Sequence, residues 1–122
     1  MLSKKVILTG NGAVVAVCRY APGERHPMHT DTHSRISFLI RGGYREEGKP
    51  GAIRMAPGHV LLKSRRAKHE DQFGEAGAEI AAIEFTGDDP FDATPACDLW
   101  RQRADSFALR HAACFLEAAL AG

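Results

Sequence analysis

The sequence predicts an all-β domain, a sandwich or small barrel, followed by a helical segment. Three observations carry that expectation. Turn signals recur roughly every ten residues between positions 5 and 85, the run from His29 to Ile40 puts polar and apolar residues on opposite faces, and neither glycine nor proline occurs from Leu99 to Ala121. At 122 residues the chain is long enough for one core and too short for two.

The elements follow in order. KVILTG is a strand, Asn11-Gly12 a hairpin turn, and AVVAVCRY the returning strand. APGERHP reads as a loop, and RISFLIRGG as a strand closed by its glycines. YREEGKPGAIRM reads as a hairpin turning at Gly48 to Gly51. APGHVLLK supplies a turn and a strand, and EAGAEIAAIEF a further strand. The β unit therefore spans 1–87 and a polar linker 88–97. Residues 98–122 form a helix or helix pair, with Leu109, Ala113, Leu116 and Leu120 on one stripe, packed on the barrel or at a dimer interface. Trp100 would anchor that segment.

Composition excludes several classes. Sixteen Lys and Arg against fifteen Asp and Glu leave a net charge of +1, so the basic footprint of a nucleic-acid binder is missing. No apolar run reaches the ~18 residues of a membrane span, and the start lacks the pattern of a signal peptide. Cys18, Cys97 and Cys114 are odd in number and far apart, which favours reduced thiols and a cytoplasmic setting over a disulfide framework. No Ser-His-Asp order, phosphate-binding glycine loop or HExxH motif occurs.

The candidate site lies in HPMHTDTHSRISFLIRGG. In an extended chain His29, Asp31 and His33 share a face that Arg35, Ser37 and Leu39 continue, while Ile36, Phe38 and Ile40 point the other way. A polar face of this kind suits the wall of a barrel enclosing a cavity, and the opposite apolar face needs a cover, from a second subunit or the helical segment. A homodimer is therefore expected. Outside this run, His26 reads as a solvent-facing loop residue, and His59 and His111 as surface residues. Arg65, Arg66 and Lys68 read as a solvated loop. Glu24, Glu46, Glu47 and Glu70 read as ordinary loop and hairpin charges.

The spacing resembles that of the cupins. Their first motif runs HxH, three or four residues, E, six residues, G, and His29, Asp31, Arg35 and Gly42 fall at those intervals. The second runs G, five residues, PxG, two residues, H, three residues, N, matched in spacing by Gly58, Ser64, Arg66, His69 and Phe73. The resemblance covers residues 20–87 and implies a double-stranded β-helix, a jelly roll that usually dimerises. Of the usual metal ligands the chain keeps His29 and His69, with Asp31 in place of the second His and Arg35 in place of the Glu. His33 could complete a His29, Asp31, His33, His69 set for Zn, Fe, Mn or Ni, although an arginine in the ligand wall opposes a divalent ion. Arg35 could pair instead with Asp31, or with a carboxylate of a bound molecule.

A narrower resemblance is to the N-terminal sensor cupin of AraC-type transcription regulators. It rests on Gly43-Tyr44-Arg45-Glu46, Pro57-Gly58, His69-Glu70-Asp71-Gln72-Phe73, Gly77-Ala78 and Ile83-Glu84-Phe85. It implies a small-molecule-binding module whose cavity is lined by His29, Asp31, His33, Arg35 and His69. Such regulators continue into helix-turn-helix units, whereas this sequence ends at Gly122, so no DNA binding by this chain alone is expected. The alternative is a metal-dependent cupin enzyme of dioxygenase or isomerase type.

Overall fold

A computed structural model of the chain describes residues 1–48 and 51–91, and the backbone of 99–103. Strands dominate: β1 Ser3–Gly10, β2 Ala13–Tyr20, β3 Arg25–His29, β4 Ser34–Gly48, β5 Gly51–Met55, β6 His59–Lys63, β7 His69–Phe85 and β8 Leu99–Arg103. All pairings are antiparallel, in the order β1-β2-β7-β4-β6-β8, with β3 added to β7 and β5 to β4.

β4 and β7 are long because each meets different neighbours along its two halves. The first half of β4 pairs with β6 and with the second half of β7, while its second half pairs with β5 and with the start of β7. Both strands bend at glycines, where the β4–β7 register shifts between Leu39 and Tyr44. Gly42 has φ +80°, and a Cβ there would lie 2.0 Å from the Gly77 carbonyl oxygen. Gly77 has φ +67°, and its Cβ would lie 2.3 Å from the Tyr20 oxygen. Only glycine provides both the left-handed backbone and the close approach. The GG pair that the sequence suggested as a strand end is thus a corner within one strand.

Alternation places two apolar clusters on opposite faces of the sheet. The interior holds Ala16, Cys18, Tyr20, Leu39, Tyr44, Met55, Leu61, Phe73 and Ile80. Tyr20 stacks on Phe73 at 4.2 Å between ring centroids. The other face gathers Ala13, Ile36, Val60, Ile83 and Phe85, with Phe38 packed against them. Ile36 and Phe38 therefore point away from Leu39, as alternation requires, and Ile40 stays exposed beside the register shift.

Two expectations change. The run APGERHP is not all loop, because Arg25–His29 pairs with β7. Leu99–Arg103 opens no helix: it is a strand paired with β6, with the Trp100 backbone opposite Leu62. The edge of β6 not used by β4 supplies the hydrogen-bond partners for this strand. The expected linker beyond Phe91 and the helix beyond Arg103, with His111, lie outside the described residues.

Candidate functional site

The polar end of the interior is built from alternate positions of four strands. β3 and the bend after it contribute His29 and Asp31, β4 contributes Arg35 and Glu46, β6 contributes Lys63, and β7 contributes His69, Asp71 and Glu84. His29 and His69 face each other in the β3–β7 register, their ring centroids 4.3 Å apart. Arg35 stands directly opposite both Lys63 on β6 and Glu84 on β7.

Lys63 is at the centre. Its ammonium donates to Glu46 Oε1 at 2.8 Å, lies 3.2 Å from His69 Nε2 and 3.3 Å from Asp31 Oδ2. His69 is fully buried, and its Nδ1 lies 3.0 Å from the Ala67 carbonyl, which as a pure acceptor takes the Nδ1–H. Its Nε2 is thereby left with a lone pair toward Lys63. His29 is held the same way, with Nδ1 on the Pro27 carbonyl at 2.7 Å and Nε2 3.4 Å from Asp31 Oδ1.

These contacts set the protonation states. Burial lowers the pKa of His69, and Lys63 lowers it further, so the ring is neutral. Burial alone would raise Asp31, but Lys63, Arg35 and His69 outweigh it and hold the carboxyl below its ordinary value. Glu46 is lowered likewise, burial being outweighed by Lys63 and by a hydrogen bond from Asp71. Asp71 goes the other way, pushed up to about 8 by burial and by Glu46. It holds a proton at neutral pH and donates it to Glu46, which accounts for Glu46 Oε2 and Asp71 Oδ1 lacking any other donor. Asp31 Oδ2 is left without an aligned hydrogen bond, although the Lys63 charge is close.

Arg35 does not pair with Asp31 directly. Its Nη2 donates to Glu84 Oε1 at 2.6 Å, and Lys4 reaches the same carboxylate at 2.9 Å. A cleft of about 370 Å³ opens beside this row, lined by Lys4, Asp31, Thr32, His33, Arg35 and Glu84. His33 sits on the bend before β4 and faces this cleft rather than joining His29, Asp31 and His69.

The remaining polar residues have structural partners. His26 is half-buried against Glu24, Tyr20 and Phe73. His59 Nδ1 accepts from the Ala56 amide in the turn before β6. Arg65 pairs with Asp89, and Arg66 donates to the Phe91 carbonyl, so this basic run ties down the segment after β7.

Two overlapping groups have the donor chemistry of a metal site: His29, Asp31 and His69, and Glu46, His69 and Asp71, each with ligand atoms within 4.8 Å of one another. Lys63 occupies both. An ion about 2.1 Å from Asp31 Oδ2 and His69 Nε2 would lie within about 5 Å of the ammonium, a repulsion of at least ~6 kcal/mol at an effective dielectric near 20. With the Lys63 ammonium facing His69 Nε2 and Asp31 Oδ2, the set as it stands does not fit a divalent ion.

Sequence reasoning missed Lys63, Glu46, Asp71 and Glu84. Period-two spacing was the available signal: His69, Asp71 and Phe73 share a face, as do Tyr44 and Glu46, and Leu61 and Lys63.

In sequence the chain matches no family model and no curated protein. Solved structures do match. KdgF from Halomonas sp. is 15% identical with a TM-score of 0.61, covering 70% of this chain and 79% of that one. A cupin-2 domain protein from Shewanella frigidimarina is 14% identical with a TM-score of 0.59, covering 69% and 80%. Oxalate decarboxylase from Bacillus subtilis is 19% identical with a TM-score of 0.56, over 64% of this chain and 22% of that protein. Manganese centres are described for that enzyme. At these identities the likeness shows the fold: this chain is an all-β cupin jelly roll. Among the described residues no helix is long and apolar enough to cross a membrane.

Proposed function

We propose that this chain is a small-molecule-binding module on a cupin fold, comparable in role to the effector-sensing domain of an AraC-type regulator. The observation that carries this reading is the open cleft joined to a buried polar floor. Asp31 lines the cleft and also touches Lys63 and His69 beneath it. A volume near 370 Å³ suits a small polar ligand. Asp31, His33 and Arg35 are the ligand contacts in the cleft, and His29 and His69 act through Asp31 from behind it.

The sensor role draws support from topology. β6 carries Lys63 in the floor and pairs on its other edge with β8, where the C-terminal part of the chain begins. A ligand that binds one arrangement of the Asp31–Lys63 pair more tightly would bias β6 and whatever follows β8. A homodimer in the cytoplasm, without DNA binding by this chain, completes the proposal. The rival reading, a metal-dependent cupin enzyme, draws on His29, Asp31 and His69 but requires Lys63 to leave.

The test is thermal unfolding against a panel of small hydroxy acids, sugar acids and polyols at millimolar concentration. The module predicts that some compound raises Tm by several degrees, and that Asp31→Ala loses the shift while remaining folded. A panel with no stabilising compound, or a shift unchanged in Asp31→Ala, would reject this site as the binding site.

A further inference from the structure

The position of Lys63 supports a statement that does not depend on which molecule the cleft takes. We propose that the Lys63 ammonium is the resident cation of this site, standing in for a divalent ion, and that removing it uncovers a divalent-metal site built on His29, Asp31 and His69.

Four observations converge. The ammonium touches Glu46 Oε1, His69 Nε2 and Asp31 Oδ2 at 2.8, 3.2 and 3.3 Å, one atom from each potential metal triad and the imidazole that the two share. The Lys63 side chain is only 6% exposed, so the amine has no water shell to retreat into. Both imidazoles are fixed by backbone carbonyls with Nε2 turned toward Asp31, the orientation in which histidine binds a metal. Asp31 Oδ2 is buried and has no aligned hydrogen bond, leaving a carboxylate lone pair for a cation to take.

The residues flanking this set keep its charge closed with the ammonium alone. Arg35 is committed to Glu84, and Glu46 to Lys63. A divalent ion added on top would face Lys63 at short range with no spare carboxylate to meet it. With the amine gone, two imidazoles and a carboxylate form a common three-ligand set for zinc or manganese, with water completing the shell.

The experiment compares the wild-type protein with Lys63→Ala and Lys63→Met, dialysed against chelator and then titrated with zinc chloride or manganese chloride. Calorimetry gives affinity, elemental analysis after desalting gives stoichiometry, and unfolding with and without the ion gives a readout independent of any activity. Wild type is expected to hold well under one equivalent and to gain no stability. At least one Lys63 variant is expected to bind one equivalent, at least about a hundredfold more tightly than wild type, and to gain stability with the ion. Adding His69→Ala to that variant should abolish the binding. A variant that folds only in the presence of the ion also supports the proposal. Wild type retaining a stoichiometric ion through His69 overturns it. So do variants that fold but bind no better than wild type, and so does failure of both variants to fold even with either ion.

Discussion

Replacing Glu46 with glutamine tests whether the Lys63 cluster is held by charge. The two side chains are 1% and 6% exposed, and the oxygen to nitrogen distance is 2.8 Å. At an effective dielectric near 20 their attraction is about 6 kcal/mol, most of which is offset by the cost of taking both charges out of water. Removing one partner leaves the other charged and buried, typically a loss of ~3–5 kcal/mol. Here the lower end is expected, about 3 kcal/mol at pH 7. Without Glu46 the carboxyl of Asp71 loses one reason to stay protonated, and it can ionise to face the ammonium. Lys63→Met should also destabilise, because it strands Glu46. The double variant should cost less than the two singles combined by at least ~2 kcal/mol, since it removes both charges at once. Urea unfolding followed by far-ultraviolet circular dichroism gives these values, provided the m-values agree. A Glu46→Gln loss below about 1 kcal/mol together with additive singles would mean that the amine finds water, and the cluster described above would be wrong.

Two other perturbations follow from the same geometry. Asp71 is raised from 3.8 to about 8, so the folded state holds its proton more tightly than the unfolded chain does, and stability falls as pH rises from about 4 to about 8. Asp31, Glu46 and Glu84 are held below their ordinary values, and the stability they add is lost on acidification below about pH 4. Asp71→Asn should therefore flatten the decline between pH 5 and 8, and urea midpoints with the same slope as wild type would contradict the assignment. Gly42→Ala places a methyl 2.0 Å from the Gly77 carbonyl and should prevent folding, whereas Gly23→Ala, with φ +70° and open space around it, should cost about 1 kcal/mol. Equal midpoints for the two variants would show that β4 does not turn its corner at Gly42.

The fold was legible because its signals are local. Asn11-Gly12 fixes the first hairpin, Gly48 and Gly51 pair where β4 meets β5, and alternation from Arg35 to Leu39 separates the two faces. What was lost was also local in form but long-range in cause. Gly42-Gly43 looks the same as a strand end or as a corner until the Gly77 backbone is seen to fill the space that a side chain would need. Leu99–Arg103 sits in a segment without helix breakers, and only the free edge of β6 makes it a strand. In the site, cupin spacing located His29, Asp31 and His69. It could not find Lys63, because a lysine beside SRRAK reads as solvated surface unless β6 is known to end inside the barrel.

If the cleft binds a small molecule as proposed, that hidden lysine changes what it would recognise. In the cluster three cations, Lys4, Arg35 and Lys63, face three carboxylates, Asp31, Glu46 and Glu84, while His69 is neutral and Asp71 protonated near pH 7. In the binding role proposed above, a site so balanced would exert little pull at a distance and would select by exchange of partners at contact. Glu46 is 1% exposed and Glu84 11%, so neither yields easily, but Asp31 is 19% exposed and has an unaligned oxygen. An entering carboxylate would therefore take the place of Asp31 over Lys63, and a neutral polyol would bridge Asp31 and His33 without displacing either. Both routes pass through Asp31, the carboxylate that lines the open cleft and also lies 3.3 Å from Lys63 in the buried floor.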